Sequence, residues 1–135
     1  MTPNQKNKIE ERCYRIKHLF QEWKNPIPDL SDFSSFKSHL IHQAISCYYI
    51  IIITEEMRMI LVKDKKIPNK YPSIPWERII RIRNQIIHEN EQLSHQEIYN
   101  LINREMNILE KEIDFFKDFI QSLVSKSDQP SSEVT

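Results

Sequence analysis

Apolar residues recur along the chain mostly three and four positions apart, the period of a helix that buries one face. Ile9, Tyr14 or Cys13, Ile16, Leu19, Phe20 and Trp23 mark a first helix from about Gln5 to Trp23. Asn25-Pro26-Ile27-Pro28 ends it, because two prolines two apart cannot continue a helical hydrogen-bond ladder. Ser31, Asp32 and Ser34 offer N-caps for a long second helix from about Phe36 to Val62, with Leu40, Ala44, Cys47, Ile51, Thr54 and Met57 as its stripe. From Tyr48 to Ile53 this segment is apolar on every side. Isoleucine and tyrosine also suit a strand, but the helical period before and after the run predicts a helix. An apolar girdle all round predicts burial on two sides, by the core and by a partner subunit.

Lys63 to Ser73 reads as a basic loop closed by Tyr71-Pro72. A short third helix begins near Ile74-Pro75-Trp76, with Ser73 as N-cap and Pro75 in the first turn, and continues through Ile79, Ile80, Ile82, Ile86 and Ile87 to about His88. Ser94-His95-Gln96-Glu97 has capping-box spacing and opens a fourth, carrying Ile98, Leu101, Ile102, Met106 or Glu105, Leu109, Ile113, Phe116, Phe119 or Ile120, and Leu123. The pattern predicts an all-α, up-and-down bundle of four to five helices in one domain, residues 1–124, and a polar, disordered C-terminal tail, residues 125–135.

Composition narrows the chemistry. The 135 residues include no glycine. Phosphate-cradling P-loops, dinucleotide fingerprints and nucleophile elbows all need glycine for positive φ or close backbone approach, so none can be built. Two cysteines, Cys13 and Cys47, form no framework. With no signal peptide evident, they predict a reducing, cytoplasmic setting. The longest apolar run, Cys47 to Ile53, is far too short to cross a membrane. The formal net charge of zero hides a dipole: Met57 to His88 holds eight basic residues against two acidic ones, and the deficit lies mainly between Glu89 and Ile120.

Few residue groups carry chemistry. His39 and His42, three apart on a helix, lack a second ligand pair, so neither a metal nor a cofactor is expected. Adjacent Glu55 and Glu56 point about 100° apart and read as a helical surface with one buried acid rather than a proton-sharing dyad. Cys47 sits among apolar residues, which raises a thiol pKa and lowers its reactivity. Arg83-Asn84-Gln85-Ile86-Ile87-His88 differs in kind. It joins a permanent, forked cation suited to phosphate with a group that moves protons near neutral pH. His88 can take the proton of a ribose 2′-OH while Arg83 stabilises charge on the phosphorane. An ideal helix leaves the two about 140° apart, whereas Asn84 and His88 nearly share a face. The site closes if the arginine reaches round, the helix loosens near His88, or a two-fold axis brings in a second copy.

The string from Tyr71-Pro72-Ser73-Ile74-Pro75-Trp76 to Arg83-Asn84 and His88 resembles the Pro-x-Ile-Pro-Trp…Arg-Asn…His signature of the HepT-like branch of the HEPN superfamily. Ile52-Ile53-Thr54-Glu55-Glu56 is similar to that family's Ile-Ile-Gly-Glu-Ala, with Thr54 where glycine is usual and Glu55 in the acid's place. The resemblance covers roughly Phe33 to Ile113. It implies an α-helical bundle that homodimerises, with the two Arg-polar-x3-His motifs facing one another across a cleft. It also implies a metal-independent ribonuclease, the toxin of a toxin–antitoxin pair whose antitoxin is a minimal nucleotidyltransferase. Carried over, Arg83 and His88 are catalytic, Asn84 orients them, and the basic strip Arg58, Lys63, Lys65, Lys66, Arg78 and Arg81 gathers the RNA backbone. Where the family continues His-x-Tyr and that tyrosine is adenylylated, this chain reads His88-Glu89-Asn90, and Asn90 has no hydroxyl to modify. The alternative reading is a catalytically inactive helical partner of a minimal nucleotidyltransferase.

Overall fold

The computed structural model describes residues 1–24, 37, 39–88 and 94–123. The proline break at 25–28, the N-caps Ser31, Asp32 and Ser34, the position of Asn90 and the tail 125–135 lie outside the described residues. All regular structure within them is helical: α1 (Pro3–Lys24), α2 (Leu40–Lys63), the single turn α3 (Ile67–Lys70), α4 (Trp76–Ile87), α5 (His95–Asn103) and α6 (Glu105–Ser122). α1 packs on α2 and α6, α4 packs on the same two, and α5 adjoins α6 at Arg104. Four helices thus close a ring around one apolar core.

α1 starts at Pro3, earlier than its apolar stripe, because Thr2 and Gln5 cap it reciprocally: the Gln5 amide donates to Thr2 Oγ1 at 3.1 Å and the Thr2 amide to Gln5 Oε1 at 2.8 Å. Its inward face is Ile9, Cys13, Ile16, Phe20 and Trp23, so of the two candidates Cys13 is inside and Tyr14 outside. Burial pushes the Cys13 thiol up to about 12, and Cys47 is raised for the same reason.

α2 corrects the sequence reading. Its buried residues are Gln43, Ser46, Ile50, Ile53, Thr54, Glu56, Met57 and Ile60, while Leu40 and Ala44 are exposed and Cys47 and Ile51 only half-buried. Thr54 and Met57 of the inferred stripe are buried as expected, but the centre of the inward face is rotated by roughly 100°, the step of one residue, from the centre of that stripe. A helix that is apolar all round carries no phase of its own. Specific inward contacts decide it, among them the buried carboxylate of Glu56, which meets Arg12 of α1 at 2.8 Å. The opposite face presents Ile41, Ile45, Tyr48, Ile52 and Met59 in a line, with Ile41 73% and Tyr48 59% exposed.

Two further boundaries differ. The segment expected as one fourth helix divides at Arg104 (φ −112°, ψ −80°) into α5 and α6. Ile98, Leu101, Ile102, Met106 and Leu109 keep one apolar phase through the break, so periodicity cannot show it. Asn103 Nδ2 donates to the Tyr99 carbonyl at 2.9 Å, a local competitor of the helical ladder. The capping box at Ser94 and Glu97 is present as expected. Ser73 does not cap α4: Pro75 occupies that position, with no side-chain hydrogen bond. The predicted basic loop contains the turn α3, whose Ile67 is buried.

Candidate active site

α4 is fixed at its start by an aromatic clasp. The indole Nε1 of buried Trp76 donates to the Tyr71 carbonyl at 3.0 Å, and its ring meets Phe116 edge-on at 5.1 Å. Tyr71 packs on Phe116 and Phe119, each at 5.3 Å, and its hydroxyl donates to Glu112 at 2.7 Å. Burial, and then the bonded Glu112 carboxylate, push the Tyr71 phenol up to about 12. Ile79 and Ile82 enter the core. With its start and rotation fixed, α4 exposes Arg81, Asn84 and His88 and tucks Arg83 against α2, its side chain 19% exposed.

Arg83 is held at two points. Its Nη2 donates to Glu55 Oε2 at 2.8 Å and its Nη1 to Asn84 Oδ1 at 3.0 Å. Glu55 also takes both prongs of Arg58, Nε at 3.1 Å and Nη2 at 2.7 Å. The hydrogen bond from Arg58, then the charges of Arg58, Arg83 and Arg12, hold the Glu55 carboxyl below the usual carboxylate range. Beside it Glu56 is buried between Arg12 at 2.8 Å and Arg15 at 3.3 Å. The neighbouring acids thus serve separate arginine sets, one acid buried, as their angular separation implies. Between α1 and α2 a groove of about 640 Å³ runs past both acids, lined by Tyr14, Arg15, His18, Leu19 and Ile52.

The helix ends at Ile87, and His88 is its C-cap in an extended conformation (φ −84°, ψ 106°). Its backbone N–H still donates to the Asn84 carbonyl at 3.0 Å, while the exposed imidazole makes no hydrogen bond or ion pair among the described residues. The structure therefore brings Arg83 and Asn84 into contact and leaves His88 on backbone released from the helical spiral. The helix does loosen at His88, as one of the three routes requires, while the partners of Arg83 are Glu55 and Asn84.

The basic strip divides. Arg58 is joined to Glu55, and Arg78 is paired with buried Glu105 at the head of α6. Arg81 is exposed without an ion pair among the described residues. Lys63 ends α2 eight residues beyond Glu55, roughly 12 Å along the axis, with exposed Lys65 and Lys66 just past it. Sequence reasoning missed Arg12 and Arg15, which reach this region from another helix, and the link from Glu55 to Arg83. Only the Glu55–Arg58 pair, three apart on one helix, had a local signal. His39 and His42 stack at 4.9 Å, and no group of three metal-holding side chains is found among the described residues. No described helix is long and apolar enough to cross a membrane.

No curated protein and no solved structure matches the chain. The family described as ribonuclease HepT-like matches it over residues 9–116. That span runs from the first buried residue of α1 to the Phe116 against which Trp76 rests, and it encloses the clasp except for Phe119, the Glu55 network and the Arg83–His88 segment. Sequence signature, all-helical ring and matched span agree, and the chain belongs to the HepT-like family of the HEPN superfamily.

Proposed function

We propose that this protein is a homodimeric, metal-independent endoribonuclease, the toxin of a toxin–antitoxin pair. The observation that carries the reading is the Arg83 guanidinium anchored on Glu55 and Asn84 one helical turn before His88 leaves the helix. In this reading His88 takes the proton of a ribose 2′-OH and the oxygen attacks the adjacent phosphorus. The bond to the 5′-oxygen breaks, and that oxygen leaves with a proton returned by an imidazolium. Arg83 stabilises the charge on the phosphorane oxygens. The products are a 2′,3′-cyclic phosphate and a 5′-hydroxyl. Of the basic strip, Lys63, Lys65, Lys66 and Arg81 supply positive charge for the RNA backbone, while Arg58 and Arg78 are engaged by Glu55 and Glu105.

The apolar line on α2, exposed at Ile41 and Tyr48 and half-buried at Ile45 and Ile52, supports a dimer, since exposed apolar surface is unfavourable in water and a second copy would cover it. A two-fold axis there sets two Arg83–His88 motifs near one cleft. Tyr48→Asp is expected to yield a monomer by light scattering, with cleavage lost. The antitoxin of this reading is a minimal nucleotidyltransferase that silences the toxin by occlusion, because Asn90 offers no hydroxyl to adenylylate.

Asn90 also favours a second reading, a binding partner of the nucleotidyltransferase without turnover. The other departure from the family string adds little to it: Thr54 is fully buried, its Oγ1 donates to the Ile50 carbonyl at 2.6 Å, and α2 runs through it unbroken. The deciding assay is RNA cleavage in EDTA. Cleavage is expected to persist there and to fall on the order of 100-fold or more in Arg83→Ala and His88→Ala. Undiminished cleavage in both variants overturns the site, and binding without cleavage by a dimeric sample supports the second reading.

A further inference from the structure

We infer that Glu55, gripped by Arg58, is the positioning residue for Arg83, fixing its guanidinium between α2 and α4 in one orientation toward phosphate. This rests on the reading of Arg83 as the phosphate-stabilising cation. A guanidinium carries five N–H donors. Glu55 and Asn84 take one each, from different nitrogens, so the anchored group keeps donors for a substrate. A lone, partly exposed ion pair would be weak and intermittent. Here the carboxylate is itself immobilised, because Arg58 spans both of its oxygens from one turn further along α2. Oε2 is shared between Arg58 Nε and Arg83 Nη2, so the order imposed by one arginine passes to the other.

The charges are consistent with this role. Two guanidinium groups on one carboxylate leave a net positive charge, so the latch orients Arg83 without neutralising the attraction for phosphate. The neighbouring set, Glu56 with Arg12 and Arg15, has the same composition and keeps a second acid from competing for Arg83. The carboxyl of Glu55 lies below its ordinary value of 4.5, so the latch stays ionised at neutral pH and is lost only as pH falls through that lowered value.

The test pairs kinetics with a signal independent of catalysis. In full-length protein, Glu55→Gln keeps size but loses charge. It is expected to lower kcat on a single-stranded RNA by about 10- to 100-fold with little change in KM, the consequence of a misplaced catalytic group. Glu55→Asp should retain more activity than Glu55→Gln, and Arg58→Ala should cost a few-fold. The second readout is the side-chain nitrogen NMR signal of Arg83, assigned by its loss in Arg83→Lys. Separate Nη resonances, the mark of slow guanidinium rotation, are expected in the wild type and should average in Glu55→Gln. A Glu55→Gln protein with unchanged kcat, or one in which Arg83 rotation stays slow, overturns the inference. If the wild type cleaves no RNA, the catalytic reading fails, and the Arg83 signal alone decides whether Glu55 positions it.

Discussion

The two ends of α4 belong to one helix of twelve residues, yet they are built from opposite materials. At the Trp76 end, Tyr71, Trp76, Phe116 and Phe119 form a mostly buried aromatic clasp with its polar atoms paired internally. At the His88 end the contacts are charged and partly wet: Arg83 leans on Glu55, Glu55 on Arg58, and the imidazole stands exposed on extended backbone. The first end is suited to fixing where the helix starts and how it is rotated. The second is suited to meeting a charged ligand, because its groups are ordered without being sealed from solvent. One sequence signature therefore holds two kinds of information, packing in Tyr71–Trp76 and chemistry in Arg83–His88.

On that division, variants at the two ends should separate stability from activity. The largest effect is expected for Trp76→Ala, about 3–5 kcal/mol of stability by analogy with other buried aromatic truncations. That is a large fraction of what holds a small domain together. Urea titration would show it, and activity would fall only with the folded population. His88→Ala should do the reverse, leaving the urea midpoint near wild type while RNA cleavage collapses. Equal loss of stability in the two variants would erase the contrast.

The smallest effect is Tyr71→Phe, about 1 kcal/mol for one lost hydrogen bond. It carries a sharper signature in alkali. The folded phenol ionises near 12 rather than at its ordinary 10.0. Between those values the unfolded chain has released the proton that the folded chain still holds, so stability falls as pH rises. Tyr71→Phe should remove that share of the slope. Cys13, raised from 9.0 to about 12, contributes in the same direction and should remain.

Much of the architecture is legible in the order of residues alone. The 3.6-residue period locates α1, α4 and the stretch that forms α5 and α6, because each has one apolar face, and the Ser94 capping box is local chemistry read directly. The all-α class follows from that period and the missing glycines. The Arg83-Asn84…His88 spacing marks the candidate site, since chemistry of side-chain types is written in the chain itself. The features that escape the sequence share one cause. The phase of α2, the break at Arg104 and the partners of Arg83 depend on residues distant in sequence. A helix apolar on all sides fits its bundle in several rotations, and only its neighbours choose among them.

The sequence by itself determined helices, their approximate ends and the inventory of reactive groups, because propensity, capping and periodicity act within a few residues. Tertiary structure alone decided that Glu55, twenty-eight residues before Arg83, is its anchor, and that Arg12 and Arg15 gather around Glu56. Those pairings exist because α1 and α4 both pack against α2, which sets side chains remote in sequence within hydrogen-bonding reach.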